Sequence, residues 1–273
     1  MQYDDRPLRG RITSGQVSAF RRAVRRGDYG PPVGRAAAPY ALNVVWRISV
    51  VLCAGAAIAT PIALFAHAQS PATILGTVFV ITLAAIFAFS YAAGWTHWRR
   101  WARLDAFARA NGWRMQPSTI GPRYPGAIFR KGTKPPEVRD RLICESGRYF
   151  DIGNYFTSTG SRADTEYNEL ELSQYVAVRL RSPVPDITLV APGYQLDHTP
   201  DDWRPLVRAA FPPEALALLT AFRIEISGEW LLLTRQGHFD PAKPSTWQHL
   251  LSIVDLAFHA ADTLTPSTGV RTT

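Results

Sequence analysis

The sequence predicts an α+β protein: a transmembrane helical hairpin followed by a mostly antiparallel β-sheet domain flanked by helices. Three observations predict it. Residues 48 to 95 contain no Lys, Arg, Asp or Glu. Between 138 and 235 the chain is dense in short runs of β-branched and aromatic residues, the composition of strands. From about Pro244 to Thr263, apolar side chains recur at helical spacing, which predicts a final helix packed on the sheet. The resulting organisation is a basic cytoplasmic tail (1–47), a two-helix transmembrane hairpin (48–96), a cytosolic α+β domain (97–264) and a disordered C-terminal tail (265–273).

The tail carries most of the net charge of +8, with nine arginines against Asp4, Asp5 and Asp28. In SGQVSAFRRAVRRG (14–27), Val17, Phe20 and Val24 form a thin apolar stripe, and Ser14 is placed to cap the helix. Arg21, Arg22, Arg25 and Arg26 gather on the other side. One reading is a short amphipathic helix lying on an anionic inner leaflet, with those four arginines as its lipid-surface contact. The other is a partly disordered extension whose charge only fixes orientation. GDYGPPVGR then breaks any helix and serves as a linker. The charge has no nucleic-acid-binding module or aromatic platform beside it, so nucleic acid is not among the expected partners.

Two apolar runs follow, at 48–68 and 73–95. At about 1.5 Å per residue they reach roughly 31 to 35 Å, against a hydrocarbon core of about 30 Å. Neither has the polar face of a soluble core helix. The first run follows a long Arg-rich tail and is followed at once by a second, a pattern of spans and not of a cleaved signal. Gln69, Ser70, Pro71 and Ala72 make an uncharged turn between them. Arg47 flanks the hairpin on one side and Arg99, Arg100 and Arg103 on the other, so both termini are expected in the cytoplasm of a plasma (inner) membrane, multi-pass protein. Trp46, Trp95, Trp98 and Trp101 fall near the same interface. Gly55 and Ala59, and Ala84, Ala88 and Ala92, have the spacing of close helix packing. The interiors carry no Asp, Glu, Lys or Arg, which points to an anchor and away from a channel or carrier.

In the cytosolic domain, residues 97–113 predict a helix continuing from the second span, stopped at Asn111-Gly112. Residues 116–136 are rich in Gly and Pro and predict a loop with one short strand near Ala127 to Arg130. Strands are expected at 138–144, 148–158, 174–181 and 187–192, and a tight hairpin about Gly228 from 222 to 235. Two short helices are expected around 199–211 and 212–222, divided by Pro212-Pro213. The blocks GNYFTSTGS and YVAVRLRSPVPDITLVA, with FARANGW, PGAIF and FRIEISGEWLLLTRQGHFDPAKPSTWQHLL, resemble a widespread group of uncharacterised two-span bacterial membrane proteins with a cytosolic C-terminal domain. The resemblance covers about 97 to 260 and departs from the group between about 193 and 213, where this chain is short and helical. It implies no activity and no catalytic residues.

No catalytic signature emerges. G-x-S-x-G, G-x-G-x-x-G and Walker-type loops are absent, so no catalytic, cofactor-binding or metal-binding residue and no cofactor is assigned. LDHTPDDW gathers Asp197, His198, Asp201 and Asp202, a set with metal-ligand chemistry but also with the chemistry of helix caps. His238 with Asp240, and Asp255, His259 and Asp262 on the last helix, are better read as a turn and a solvated face. Cys53 and Cys144 lie too differently to form a disulfide framework. Arg130, Lys131 and Lys134 make a modest basic loop. The expectation is an integral membrane protein presenting a non-enzymatic interaction domain to an unknown protein partner. The alternative is a membrane-bound enzyme whose site forms by tertiary proximity around His198.

Overall fold

The computed structural model describes residues 3–31, 82, 94–130, 135–158, 170–190, 194, 196, 199–241 and 243–265. Nearly all of both apolar runs lies outside that set. Among the described residues no helix is long and apolar enough to cross a membrane.

The described chain is α+β. Five antiparallel strands, β1 (Arg114–Ile120), β2 (Glu137–Cys144), β3 (Phe150–Ser158), β4 (Leu170–Leu189) and β5 (Arg223–Gln236), lie side by side in chain order. The helices are α1 (Arg6–Arg9), α2 (Ser14–Arg26), α3 (94–110), α4 (Arg204–Ala210), α5 (Pro213–Leu218) and α6 (Pro244–Leu264). One large core lies between the helices and one face of the sheet; a smaller aromatic cluster covers part of the other face. Strand alternation sorts the residues between them. Phe150 and Ile152 join the large core, whereas Tyr155 and Tyr175 join the smaller one.

Four local expectations are corrected. Residues 127–130 form a 3-10 turn and not a strand. The strand of that region is β1, whose Pro117 made it read as loop; the strand occupies the sheet edge, where a missing N–H is tolerated. The stretch 174–181 and residues 187–189 of the next belong to one long strand, β4. The segments about Gly228 are likewise one strand, β5. Pro183 and Pro185 withdraw two ladder donors from β4, and the register of β4 on β5 shifts on either side of Val184, which pairs with Gly228. Gly228 takes φ +55° there, so the strand bends through it instead of turning back.

The helix stops and the last helix stand as expected. Gly112 has φ +69°, and the Trp113 N–H reaches back to the Ala108 carbonyl at 2.8 Å, closing α3 with a left-handed cap. On α6 the stripe Trp247, Leu250, Leu251, Val254, Phe258 and Ala261 is buried.

The tail departs most from expectation. α2 forms, capped by Thr13 and not Ser14, in a reciprocal box with Gln16. Its stripe of Val17, Phe20 and Val24 is buried in the large core, together with Leu8 and Ile12 of the preceding chain. Phe20 meets Trp98 edge-on at 6.2 Å, and Tyr3 meets Phe107 the same way. The Asp4 N–H donates to Asn111 Oδ1 at 2.7 Å. The tail up to residue 31 is therefore a strap across α3, part of the folded domain. The apolar side that a lipid-surface helix would insert is covered by protein.

Candidate functional site

Three arrangements concentrate polar chemistry. The first joins α3 to the sheet. Between Arg139 and Leu142 the β2–β3 register slips, so Asp140 and Arg141 together oppose Gly153. Asp140 takes φ +55°, a left-handed conformation that Asp adopts more readily than most residues. The bulge sends these consecutive side chains into different networks. Asp140 accepts from Trp101 Nε1 at 2.7 Å, from Asn154 Nδ2 at 3.1 Å and from Arg100 at 3.4 Å. Burial holds its carboxyl above the ordinary range, against the opposing pull of Arg100 and of the Trp101 and Asn154 bonds. Asn154 also grips residue 239, donating to its carbonyl at 3.1 Å and accepting from its N–H at 2.9 Å. One amide thus ties β3 to β2 and to the chain entering α6.

The second arrangement lies on the opposite face. Asp151, fully buried, receives the Arg141 guanidinium at 2.6 Å, the Tyr124 hydroxyl at 2.6 Å and the Tyr175 hydroxyl at 2.9 Å. Burial, then the Asp151 charge, push the Tyr124 and Tyr175 hydroxyls far above their ordinary range. They act here as fixed hydrogen-bond donors. With both carboxylate oxygens engaged, this is a structural lock and has no free base to offer. Gly153 lies close by, where a Cβ would come within 2.7 Å of Val138 and 3.0 Å of Tyr175.

The third is a pocket of about 500 Å³ under α4 and α5, beside the end of β4. Leu189, Val207, Phe211 and Leu216 form its apolar wall, and Arg204 and Arg208 its charged side. Arg204 is held by the Thr199 carbonyl at 3.3 Å and by Asp201 at 3.1 Å. Arg208 is exposed and forms no ion pair among the described residues. Tyr194, also on the wall, has φ +43° and donates its hydroxyl to the carbonyls of Leu219 and Phe222. That bond secures the strained residue against the end of α5.

The residues singled out in the sequence are scattered. Arg22, Arg25 and Arg26 are exposed on α2; Arg26 pairs with Asp28 at 2.7 Å, and the Arg21 guanidinium sits 5.7 Å from the Trp98 ring. Asp197, His198, Lys131 and Lys134 lie outside the described residues. Asp201 is paired with Arg204 and Asp202 is exposed. Among the described residues no group of three His, Cys, Asp or Glu is placed to hold a metal ion. Cys144 is buried, its thiol 3.4 Å from the Ser146 carbonyl. Asp262 pairs with Arg148 at 2.9 Å and Arg181 at 3.1 Å, so α6 carries a clamp on a face expected to be only solvated. Sequence reasoning missed Asp140, whose left-handed bulge has no local signature. It also missed the pocket, which needs the end of β4 to meet α4.

The chain matches no family model and no curated protein. Among solved structures it is similar to the crystal structure of the mycobacterial trehalose monomycolate transport factor A, TtfA, with a TM-score of 0.39 and 12% sequence identity over 63% of this chain and 98% of that one.

Proposed function

We propose that this protein is an integral membrane protein of the plasma membrane, anchored by a hairpin of its two apolar runs with both termini cytoplasmic, and that its α+β domain is a non-enzymatic platform for a protein partner. The observation that carries this reading is α3. Its described residues follow directly on the second apolar run, and its Trp101, Leu104 and Phe107 are wholly buried in the domain core. Trp101 and Arg100 are bonded to Asp140 of the sheet. A helix leaving the bilayer and built into a core in this way mounts the domain at a fixed height and orientation, which suits presentation of a surface. The exposed Arg22, Arg25 and Arg26 add an electrostatic attraction to anionic headgroups that needs no inserted apolar face, about 1 kcal/mol each near the surface. The test is crosslinking of the full-length protein in native membranes, followed by co-purification. A discrete protein crosslinked to the exposed surface of residues 97–264 is the expected result. Recovery of the protein alone, at every crosslinker length, would remove the interaction reading.

A further inference from the structure

We infer that the pocket beneath α4 and α5 binds one anionic amphiphile, its alkyl chain along Leu189, Val207, Phe211 and Leu216 and its acidic head on Arg204 and Arg208. The volume of about 500 Å³ falls within the range of small-molecule sites, roughly 300 to 1,000 Å³. The pocket has two chemically distinct sides. Arg204 and Arg208 are one helical turn apart, so their guanidinium groups share a face of α4. Two forked donors at that spacing fit a carboxylate or a phosphate. The other side offers aliphatic and aromatic carbon. A free inorganic anion leaves that wall without a role, and a neutral hydrocarbon leaves the exposed Arg208 without one, Arg204 being already paired with Asp201. An amphiphile with an acidic head uses both.

The surroundings agree. Arg204 is already positioned by the Thr199 carbonyl and Asp201, and Tyr194 is pinned across the wall by its hydroxyl, so the site is preformed. The described residues have five large apolar side chains exposed, and three of them, Val190, Leu206 and Leu218, sit on or next to the elements that build this pocket. Apolar surface concentrated beside a cavity marks a place where a greasy ligand enters.

The test uses membranes containing the full-length chain, with three photoreactive probes of equal chain length: a diazirine fatty acid, a diazirine lysophosphatidic acid and a diazirine fatty alcohol. Peptide mapping after irradiation should place adducts in 204–218 for at least one acidic probe, about tenfold above the alcohol. The acid that labels identifies whether a free carboxylate or a phosphate headgroup is held. Arg208→Gln, an exposed position, should lower that labelling about tenfold, and Arg208→Lys should keep part of it. Leu216→Trp should displace the chain of every probe from the pocket. Equal labelling by the alcohol, or adducts confined to 48–95, overturns the proposal. Labelling unchanged by both Arg208→Gln and Leu216→Trp overturns it as well.

Discussion

Asn154 satisfies three partners with one side-chain amide, and each partner is buried or part of a closed turn. Replacing it by Ala leaves Asp140 short of a donor and both backbone groups of residue 239 unpaired. The expected loss is on the order of 3 kcal/mol, read from the shift of a denaturant midpoint. Asp140 gives a pH-dependent prediction. Its pKa is higher folded than unfolded, so the native state holds the proton more tightly. Its contribution is then greatest below the unfolded value of about 3.9 and is lost as pH rises through the folded value. Asp140→Asn keeps the left-handed backbone accessible but removes this titration. The stability of wild type relative to Asp140→Asn should therefore fall as pH rises from 4 to 7, followed by thermal melting. A wild type that gains stability over Asp140→Asn across that interval contradicts the assignment. Gly153→Ala tests packing alone: a Cβ there meets Val138 and Tyr175, and about 1 to 3 kcal/mol should be lost.

At the level of elements, the tail strap is the part most open to test. Phe20 is 6% exposed and touches Trp98 and Tyr29. Phe20→Ala should cost about 3 to 5 kcal/mol, measured by chemical denaturation of the full chain. A purely lipid-bound or disordered tail would show no loss. The elements also show what periodicity reveals and what it conceals. α6 and the stripe on α2 were legible because a 3.6-residue repeat is a local property. Which surface receives the stripe is not local: lipid and protein satisfy Val17, Phe20 and Val24 equally well in sequence, and Trp98 lies far along the chain. β1 was hidden by Pro117, and the bent β4–β5 pair by Pro183, Pro185 and Gly228, residues that usually signal a turn. They bend a strand here because the defects of the two neighbours fall opposite one another. Of the candidate site almost nothing was legible. Asp201 was noticed as an acid; its pairing with Arg204 on the wall of a pocket depends on where β4 ends.

For the whole molecule, the proposed hairpin makes a prediction about sidedness. In a background with Cys53 and Cys144 replaced, a cysteine at position 70 should react with an impermeant reagent on intact cells. Cysteines at 14 and 267 should react only after permeabilisation. Labelling of either terminal position without permeabilisation rules out cytoplasmic termini. The strap changes how the domain should be isolated. A fragment beginning at residue 94 lacks the cover on Trp98 and Phe107. Residues 1–31 fused ahead of 94–265 through a flexible linker should give a soluble protein with a higher melting temperature than 94–265 alone.

The docking of α2 on α3 also fixes an order of assembly. The sheet is a meander in which every strand pairs with its neighbours in sequence, so it can zip up as the chain emerges from the ribosome. The strap is different: it is synthesised first, yet its receiving surface is made only after both apolar runs have been translated. Joining α2 to α3 across the intervening residues closes a long loop, at an entropic cost that grows with its length. A hairpin inserted in the bilayer brings the two ends of that loop together in advance. Under the proposed topology, membrane insertion would then act as a folding step for the α+β domain, and a chain that fails to insert would leave Trp98 and Phe107 uncovered for quality-control proteases to find.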